Sequence, residues 1–249
     1  MIKAENVHKE FPGNRVLKGV SGEFHAGKTN LIIGQSGSGK TVLLKSIVGL
    51  IEVDKGSIYY DDVDIVAAGS RLRQKIRRNI GMVFQGGALF TSESIEDNVR
   101  FPLDMLTKQS KKEKIKRVDE CLDRVGVAGA HEAFPSEISG GMQKRVAIAR
   151  AIVTNPKYLL CDEPNSGLDP RTAIRIDELI AEITKEYQMT TIINTHDMNS
   201  VMQIGENIIF LYEGEKWWEG NKHEIFDSRN KEFNDFVFAS EMTKKLINQ

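Results

Sequence analysis

Two cysteines, Cys121 and Cys161, are all that 249 residues contain, one in a helix-like stretch and one in a strand-like stretch. They form no metal-ligand pattern, so both are expected as reduced packing residues of a cytosolic protein. Long apolar runs are missing as well. No stretch approaches the ~20 residues of a membrane span, and the start, Met1-Ile2-Lys3-Ala4-Glu5, lacks the apolar core of a secretion leader. Neither sign of charge dominates: 34 Lys plus Arg stand against 35 Asp plus Glu, which excludes an overall field for nucleic acid or anionic membrane. No internal repeat or low-complexity linker breaks the chain. What remains is a 40% hydrophobic composition, with length enough for one large domain or a domain plus a subdomain.

One stretch organises the rest. Gly34-Gln35-Ser36-Gly37-Ser38-Gly39-Lys40-Thr41 follows the apolar run Leu31-Ile32-Ile33 and precedes the helical Val42-Leu43-Leu44-Lys45-Ser46-Ile47-Val48. It reads G-x-x-x-x-G-K-T between a strand and a helix. Triphosphate oxygens need many donors at short range. Glycines let successive backbone N–H groups come close, and the helix beginning near Gly39 adds its positive end. Lys40 is expected at the β- and γ-phosphates and the Thr41 hydroxyl on Mg²⁺.

Upstream, residues 1–30 read as short strands around a loop, with a turn at Phe11-Pro12-Gly13-Asn14. Phe11 is a candidate to stack on adenine, or a core residue. Gly49 and Gly56 bracket a turn before the strand Ser57–Tyr60, and Ser70–Arg78 is a basic helix or surface. The buried strand Ile80–Phe84 ends at Gln85, and Gly86–Phe90 connects onward with an apolar tip. Ser94 with Asp97 can start a helix. Ser110–Val125 is an amphipathic helix stopped by Gly126, its lysines a solvated face.

Ser139-Gly140-Gly141-Met142 opens another helix, with Ser139 as its cap and a second anion site at its start. Lys157–Asp162 is an apolar strand ending in Asp162-Glu163. An unpaired carboxylate pair there would repel itself, so a bound cation is expected, with Asp162 holding Mg²⁺ and Glu163 orienting or deprotonating water. Ser166–Pro170 is a turn before a helix from about Arg171 to Tyr187. The buried strand Thr190–Asn194 ends at Thr195-His196-Asp197, which puts His196 within reach of a γ-phosphate or the attacking water. Residues 207–219 read as a hairpin in which Trp217 and Trp218 face opposite sides. Phe233, Phe236 and Phe238 dock onto the body or onto another subunit.

From Phe11 to about Phe226 this ordered set resembles the ATP-binding-cassette (ABC) ATPase family. The resemblance implies an α/β fold: a RecA-like P-loop core with a mainly parallel sheet, an N-terminal antiparallel β subdomain and an inserted helical subdomain over about 88–155. The ATPase domain is then 1–226 and the tail 227–249. In family terms Phe11 is the adenine-stacking aromatic, 34–41 with Val42 are Walker A, and Gln85 is the Q-loop glutamine, catalytic and on the metal. Ile138–Met142 match the signature, with Ser139, Gly140 and Gly141 on nucleotide. Tyr158–Asp162 match Walker B and Glu163 the catalytic glutamate. Ser166–Asp169 match the D-loop, with Asp169 near nucleotide, and His196 matches the switch histidine. Ile138, Met142, Asn165 and Val42 depart from the usual residues without removing a phosphate, metal or water contact.

The family's mechanism implies ATP and Mg²⁺ as cofactors and a head-to-tail homodimer in which Ser139 and Gly141 close the partner's ATP. It also implies permease partners and no nucleic acid, at the cytoplasmic face of the inner cell membrane. The words Phe84–Phe90, Asn98–Leu103 and Ser139–Val146 are similar to the Mla-type cassettes, which implies phospholipid transport with a lipid-binding subunit. Amino-acid or methionine importers, division-type regulatory cassettes and non-transport ABC ATPases are the alternatives.

Overall fold

The computed structural model describes residues 1–238. Strands β1 (Ile2–Phe11) and β2 (Asn14–Phe24) form a hairpin. Strand β3 (Thr29–Ile33) leads through residues 34–39 into helix α1 (Lys40–Val48). Then come β4 (Lys55–Tyr60), β5 (Val63–Asp64), α2 (Ser70–Arg77) and β6 (Ile80–Val83). Helices α3 (Ile95–Leu106), α4 (Lys111–Arg124) and α5 (Gly140–Ile152) follow. The chain returns to sheet with β7 (Tyr158–Asp162), α6 (Pro170–Glu186), β8 (Thr190–Thr195) and α7 (Met198–Ile204). It ends on the hairpin β9 (Asn207–Tyr212) and β10 (Glu215–Gly220), then α8 (Lys231–Val237).

The strands make two sheets, ordered β2-β1-β4-β5 and β10-β9-β3-β8-β7-β6. The first is antiparallel; the second is parallel except for β10. The expected α/β architecture, with its antiparallel N-terminal part and mainly parallel core, is what the chain adopts. Every residue of β3, β7 and β8 is buried, as strands covered on both faces must be. Alternation splits β3 between two cores. Leu31 and Ile33 join the helices α3 to α6 and α8. Ile32 joins β1, β2, β4 and α1.

Parallel strands leave their C-terminal ends along one edge, where ligands of open α/β sheets bind. That edge carries residues 34–41 after β3, Gln85 beyond β6, Asp162 and Glu163 at β7, and His196 after β8.

Several local expectations needed correction. The first 30 residues hold two strands of 10 and 11 residues rather than short ones. Pairing runs from Ile2↔Phe24 to Phe11↔Asn14, through bulges that absorb the mismatch. Gly56 is not a turn bracket but lies within β4. At φ +94° its missing Cβ would sit 2.3 Å from the Asn6 carbonyl oxygen, so glycine lets β4 close onto β1. Lys114, expected on a solvated face, pairs with Asp104 at 2.9 Å. Helix α7 was not anticipated; Asp197 caps it by accepting from the Asn199 N–H.

Both cysteines are free and buried. Burial pushes the Cys121 thiol up to about 11 and that of Cys161 higher still. Trp218 stacks on Phe233 at 4.2 Å, and Phe233 meets Phe210 edge-on at 5.3 Å, so these tail aromatics dock onto the body. Trp217 stays more exposed, against Tyr212. Residues 239–249 of the expected tail lie outside the described residues. Among the described residues no helix is long and apolar enough to cross a membrane.

Candidate functional site

The turn from β3 to α1 is shaped by three glycines at positive φ: Gly34 (149°), Gly37 (81°) and Gly39 (103°). Two of them have no room for a side chain. A Cβ on Gly34 would sit 2.2 Å from the Leu211 carbonyl oxygen, and one on Gly39 3.0 Å from that of Val16. The loop is therefore wedged between β2 and β9. Lys40, 6% exposed, curls back so that Nζ donates to the carbonyls of Gly34 (2.8 Å) and Gln35 (2.9 Å). Burial lowers its pKa, while Glu163 and Asp162 pull it up. The buried Ser38 hydroxyl has no partner. No side chain caps α1, so its leading N–H groups stay free for an anion.

Two carboxylates face this loop in different ways. Asp162 accepts from the Thr41 hydroxyl (3.0 Å) and from Asn194 Nδ2 (3.1 Å). Glu163 stands at φ +47°, where its N–H donates to the Asn194 carbonyl, and this left-handed step ends the strand geometry. Its Oε2 accepts from Gln85 Nε2 at 2.9 Å, and its Oε1 lies 2.9 Å from His196 Nδ1. The two carboxylates are thus not an unpaired, self-repelling pair: each has its own two partners, which corrects the expectation drawn from their adjacency. Gln85 stands with Glu163 and makes no hydrogen bond to Thr41 or Asp162.

The backbone after Gln85 is fastened to the helices. Lys144 donates to the Gln85 carbonyl. Arg150 donates to those of Gly87 (2.6 Å) and Ala88 (2.8 Å). Asn98, fully buried, accepts from the Phe90 N–H at 2.7 Å. Beside this loop a cavity of about 280 Å³ is walled by Met82, Phe84, Phe90, Phe101, Pro102 and Leu106.

Ser139 caps α5 by accepting from the Met142 N–H. With Gly140 and Gly141 it forms one wall of an open cleft whose other wall carries Asp169 and Thr172; no residue of 34–42 lines it. Asp169 caps α6 through the N–H groups of Arg171 and Thr172. Phe11 lies at the β1–β2 tip, 40% exposed, with Lys9 Nζ 5.5 Å from its ring centroid.

Sequence reasoning missed Asn194, Lys144, Arg150 and Asn98. Asn194 had a signal: it is a polar residue in a buried strand, paired in register with Asp162. Asp177 had one too, as an acid on the apolar face of α6. Asn165 and Ser200 both donate to it.

A family model described as "ABC transporter" matches residues 17–166. The chain belongs to the ABC transporter family. It is 39% identical over 211 residues to the probable ribonucleotide transport ATP-binding protein mkl of Mycobacterium leprae, covering 85% of this chain and 61% of that one. Over 254 residues it is 37% identical to the methionine import ATP-binding protein MetN of Carboxydothermus hydrogenoformans, covering 99% and 75%. The chain thus spans about three fifths of the length of the mkl relative. Among solved structures it resembles a dimeric ATP-binding cassette in a post-hydrolysis state bound to ADP and Pi, with TM-score 0.81, 34% identity, and 89% of this chain and 99% of that one covered.

ABC cassettes use ATP with Mg²⁺, and the oxygen donors here fit that ion. Thr41 Oγ1 and Asp162 Oδ1 converge, and Asn194 Oδ1 beside them is buried without a partner. Mg²⁺ takes one or two carboxylates and keeps several waters. Among the described residues no cluster of three or more His, Cys, Asp or Glu would suit a protein-only metal cage.

Proposed function

We propose that this cassette binds and hydrolyses ATP as the nucleotide-binding subunit of a membrane transporter, with residues 1–226 as its ATPase domain and about 88–155 as its helical part. The carrying observation is Glu163, held by Gln85 on one oxygen and His196 on the other, at the strand end next to the Thr41–Asp162 pair. Residues 34–42 surround the phosphates with N–H groups, and Lys40 exchanges its loop carbonyls for β- and γ-phosphate oxygens. Thr41 and Asp162 would hold Mg²⁺, with Gln85 joining them on release from Glu163, and the ion would neutralise phosphate charge and polarise the phosphoryl group. Glu163 accepts the proton of the attacking water, and His196 orients that water and the γ-phosphate. Phe11, at an exposed hairpin tip, offers its ring to adenine.

The second glycine-rich start argues for a homodimer. Gly140 has only Leu168, 4.0 Å away, where a Cβ would go, so its own chain does not demand a glycine there. A partner's nucleotide does. Ser139, Gly140, Gly141 and Asp169 then complete the site of the other subunit. Ser139→Arg tests this: ATP binding to the single chain survives, while hydrolysis and ATP-dependent dimerisation are lost. Normal turnover in that variant sinks the two-chain site.

The aromatic groove at Phe84, Phe90 and Phe101 receives a permease helix, which places the cassette at the cytoplasmic face of the inner membrane with no nucleic-acid partner. Among cargoes we favour phospholipid, with a lipid-binding subunit, on the likeness of residues 84–90, 98–103 and 139–146 to Mla-type cassettes. The names of the relatives speak for ribonucleotide or methionine instead. Purifying the complex with its permease decides: co-purifying phospholipid supports our reading, and ATPase stimulated by methionine or a ribonucleotide overturns it.

A further inference from the structure

Three segments meet behind the Glu163–His196 pair. Asn165 lies in the turn after β7, two residues beyond Glu163. Ser200 lies in the first turn of α7, four residues beyond His196. Asp177 lies on α6 and bonds to both. The three side chains are buried, at 7% exposure for Asn165, 2% for Asp177 and 0% for Ser200. Asn165 Nδ2 donates to both Asp177 oxygens, at 3.3 and 3.1 Å, and to Ser200 Oγ at 2.9 Å. The Ser200 hydroxyl donates to Asp177 Oδ2 at 2.7 Å.

Each end of this cluster is tied to a residue of the site. The turn closes on itself: the Ser166 N–H donates to the Glu163 carbonyl at 3.2 Å, and the Leu168 N–H to that of Asn165 at 3.4 Å. On the other side the Val201 N–H donates to the Asp197 carbonyl at 3.2 Å, and the Asp197 N–H to Thr195 Oγ1 at 3.0 Å, so His196 is bracketed. Glu163 also holds φ +47°, a left-handed conformation that persists only where the surroundings over-determine it. Fixing Asn165 two residues on supplies part of that constraint. An acid is costly in so buried a place, and burial pushes the Asp177 carboxyl up to about 6. A carboxylate accepts from both neighbours at once, whereas an amide turns a donor toward one of them.

We propose that Asp177 is a positioning residue: by fastening the Glu163 turn to α7 from behind, it sets the Glu163–His196 contact. Its partners Asn165 and Ser200 lie outside residues 34–42, so its loss lowers turnover rather than ATP binding. The effect on turnover rests on the proposed role of Glu163; the effect on the contact itself does not.

The test reads contact and turnover separately in the full chain. Magnetic resonance of the His196 ring nitrogens, assigned with His196→Gln, reports the contact, and Glu163→Ala supplies the reference without it. Asp177→Asn moves the His196 Nδ1 signal most of the way to that reference. It lowers kcat about 10–10²-fold, with KM for ATP within about twofold of wild type. Adding Asn165→Asp to Asp177→Asn sets donor against acceptor again and brings both readouts back toward wild type. Ser200→Ala leaves Asp177 paired with Asn165 and cuts the tie to α7, so it moves the His196 signal by itself and carries the test where Asp177→Asn does not fold. Thr184→Val, on the same helix, loses a buried hydroxyl pair with Thr191 (2.7 Å); it lowers the unfolding midpoint and leaves both readouts in place. An unmoved His196 signal in Asp177→Asn or Ser200→Ala, or equal losses in the double and single variants, overturns the proposal. So does a moved signal with unchanged kcat in a chain where Glu163→Gln is slow. Near-normal turnover in Glu163→Gln with a moved signal in Asp177→Asn overturns the hydrolytic role of Glu163 and supports the brace.

Discussion

The chain carries two glycine-rich helix starts, and they differ in who needs the glycines. At α1 the requirement is internal. Gly34 and Gly39 sit at positive φ against the backbone of β9 and β2, and Lys40 is folded onto its own loop. At α5 neither Gly140 nor Gly141 has positive φ, Ser139 is a plain cap, and Gly140 meets ordinary contact at 4.0 Å, while a Cβ on Gly141 would sit 2.8 Å from the Thr172 side-chain methyl rather than against backbone. The first start is therefore preorganised by its own fold. The second opens onto an exposed cleft with Asp169 and Thr172, the face that the proposed two-chain site would use. Similar glycine content hides different physical causes, and positive φ with close backbone approach marks only the first start.

The sharpest way to break this comparison is at the preorganised start. Glu163→Gln keeps the side-chain shape and the binding contacts of Lys40, Thr41 and Asp162. It is a poor base, so ATP turnover falls about 10²–10⁴-fold while ATP binding persists. Near-normal turnover in a steady-state assay moves the base role to His196.

The glycines themselves give the next largest effect. Gly34→Ala forces a Cβ into the Leu211 carbonyl at a strained φ, and denaturant unfolding should show a loss of about 3 kcal/mol. Gly140→Ala should stay within about 0.5 kcal/mol of wild type, yet lower turnover in the dimer. Equal destabilisation by both would erase the distinction between internal and external need.

Asp177 underlies the exposed side, on the helix that Asp169 caps. Burial pushes its carboxyl up to about 6 from 3.8, against the donors Ser200 and Asn165. The folded chain therefore keeps this proton where the unfolded chain has released it. Its contribution falls as pH rises from about 4 to 6 and is a constant cost above that. Comparing unfolding curves of wild type and Asp177→Asn across that window, the difference should change by about 2–3 kcal/mol. A pH-independent difference would place the carboxyl in an ordinary environment.

The smallest effect lies between the two starts. Arg150→Lys keeps the charge but loses the fork that holds both Gly87 and Ala88 carbonyls, so stability should fall about 1–2 kcal/mol. Hydrogen exchange at Gly87, whose N–H donates to the Phe84 carbonyl, should quicken before α5 itself loosens. Unchanged exchange there would mean the loop is held by other contacts.

Residue types in order along the chain determined the phosphate loop, the strand-end acids, His196 and the α/β class, because short motifs and hydrophobic periods are local properties. Helix α4 was legible to within a residue at each end, since Ser110 with Glu113 forms a capping box and Gly126 follows its C-cap Val125. What only the tertiary structure decided is everything that joins distant segments. Asp162 and Glu163 are neighbours in sequence, yet one is served by Thr41 and Asn194 and the other by Gln85 and His196, across three parallel strands. Lys144 and Arg150 look like surface charges of a helix until the fold brings the Gln85–Ala88 carbonyls against them. Ser200, a buried donor to Asp177, has no sequence signature at all. A hydrogen-bond partner, or the lack of one, depends on which elements pack together, and pairing across a sheet is set by the collective burial of strands rather than by any single stretch.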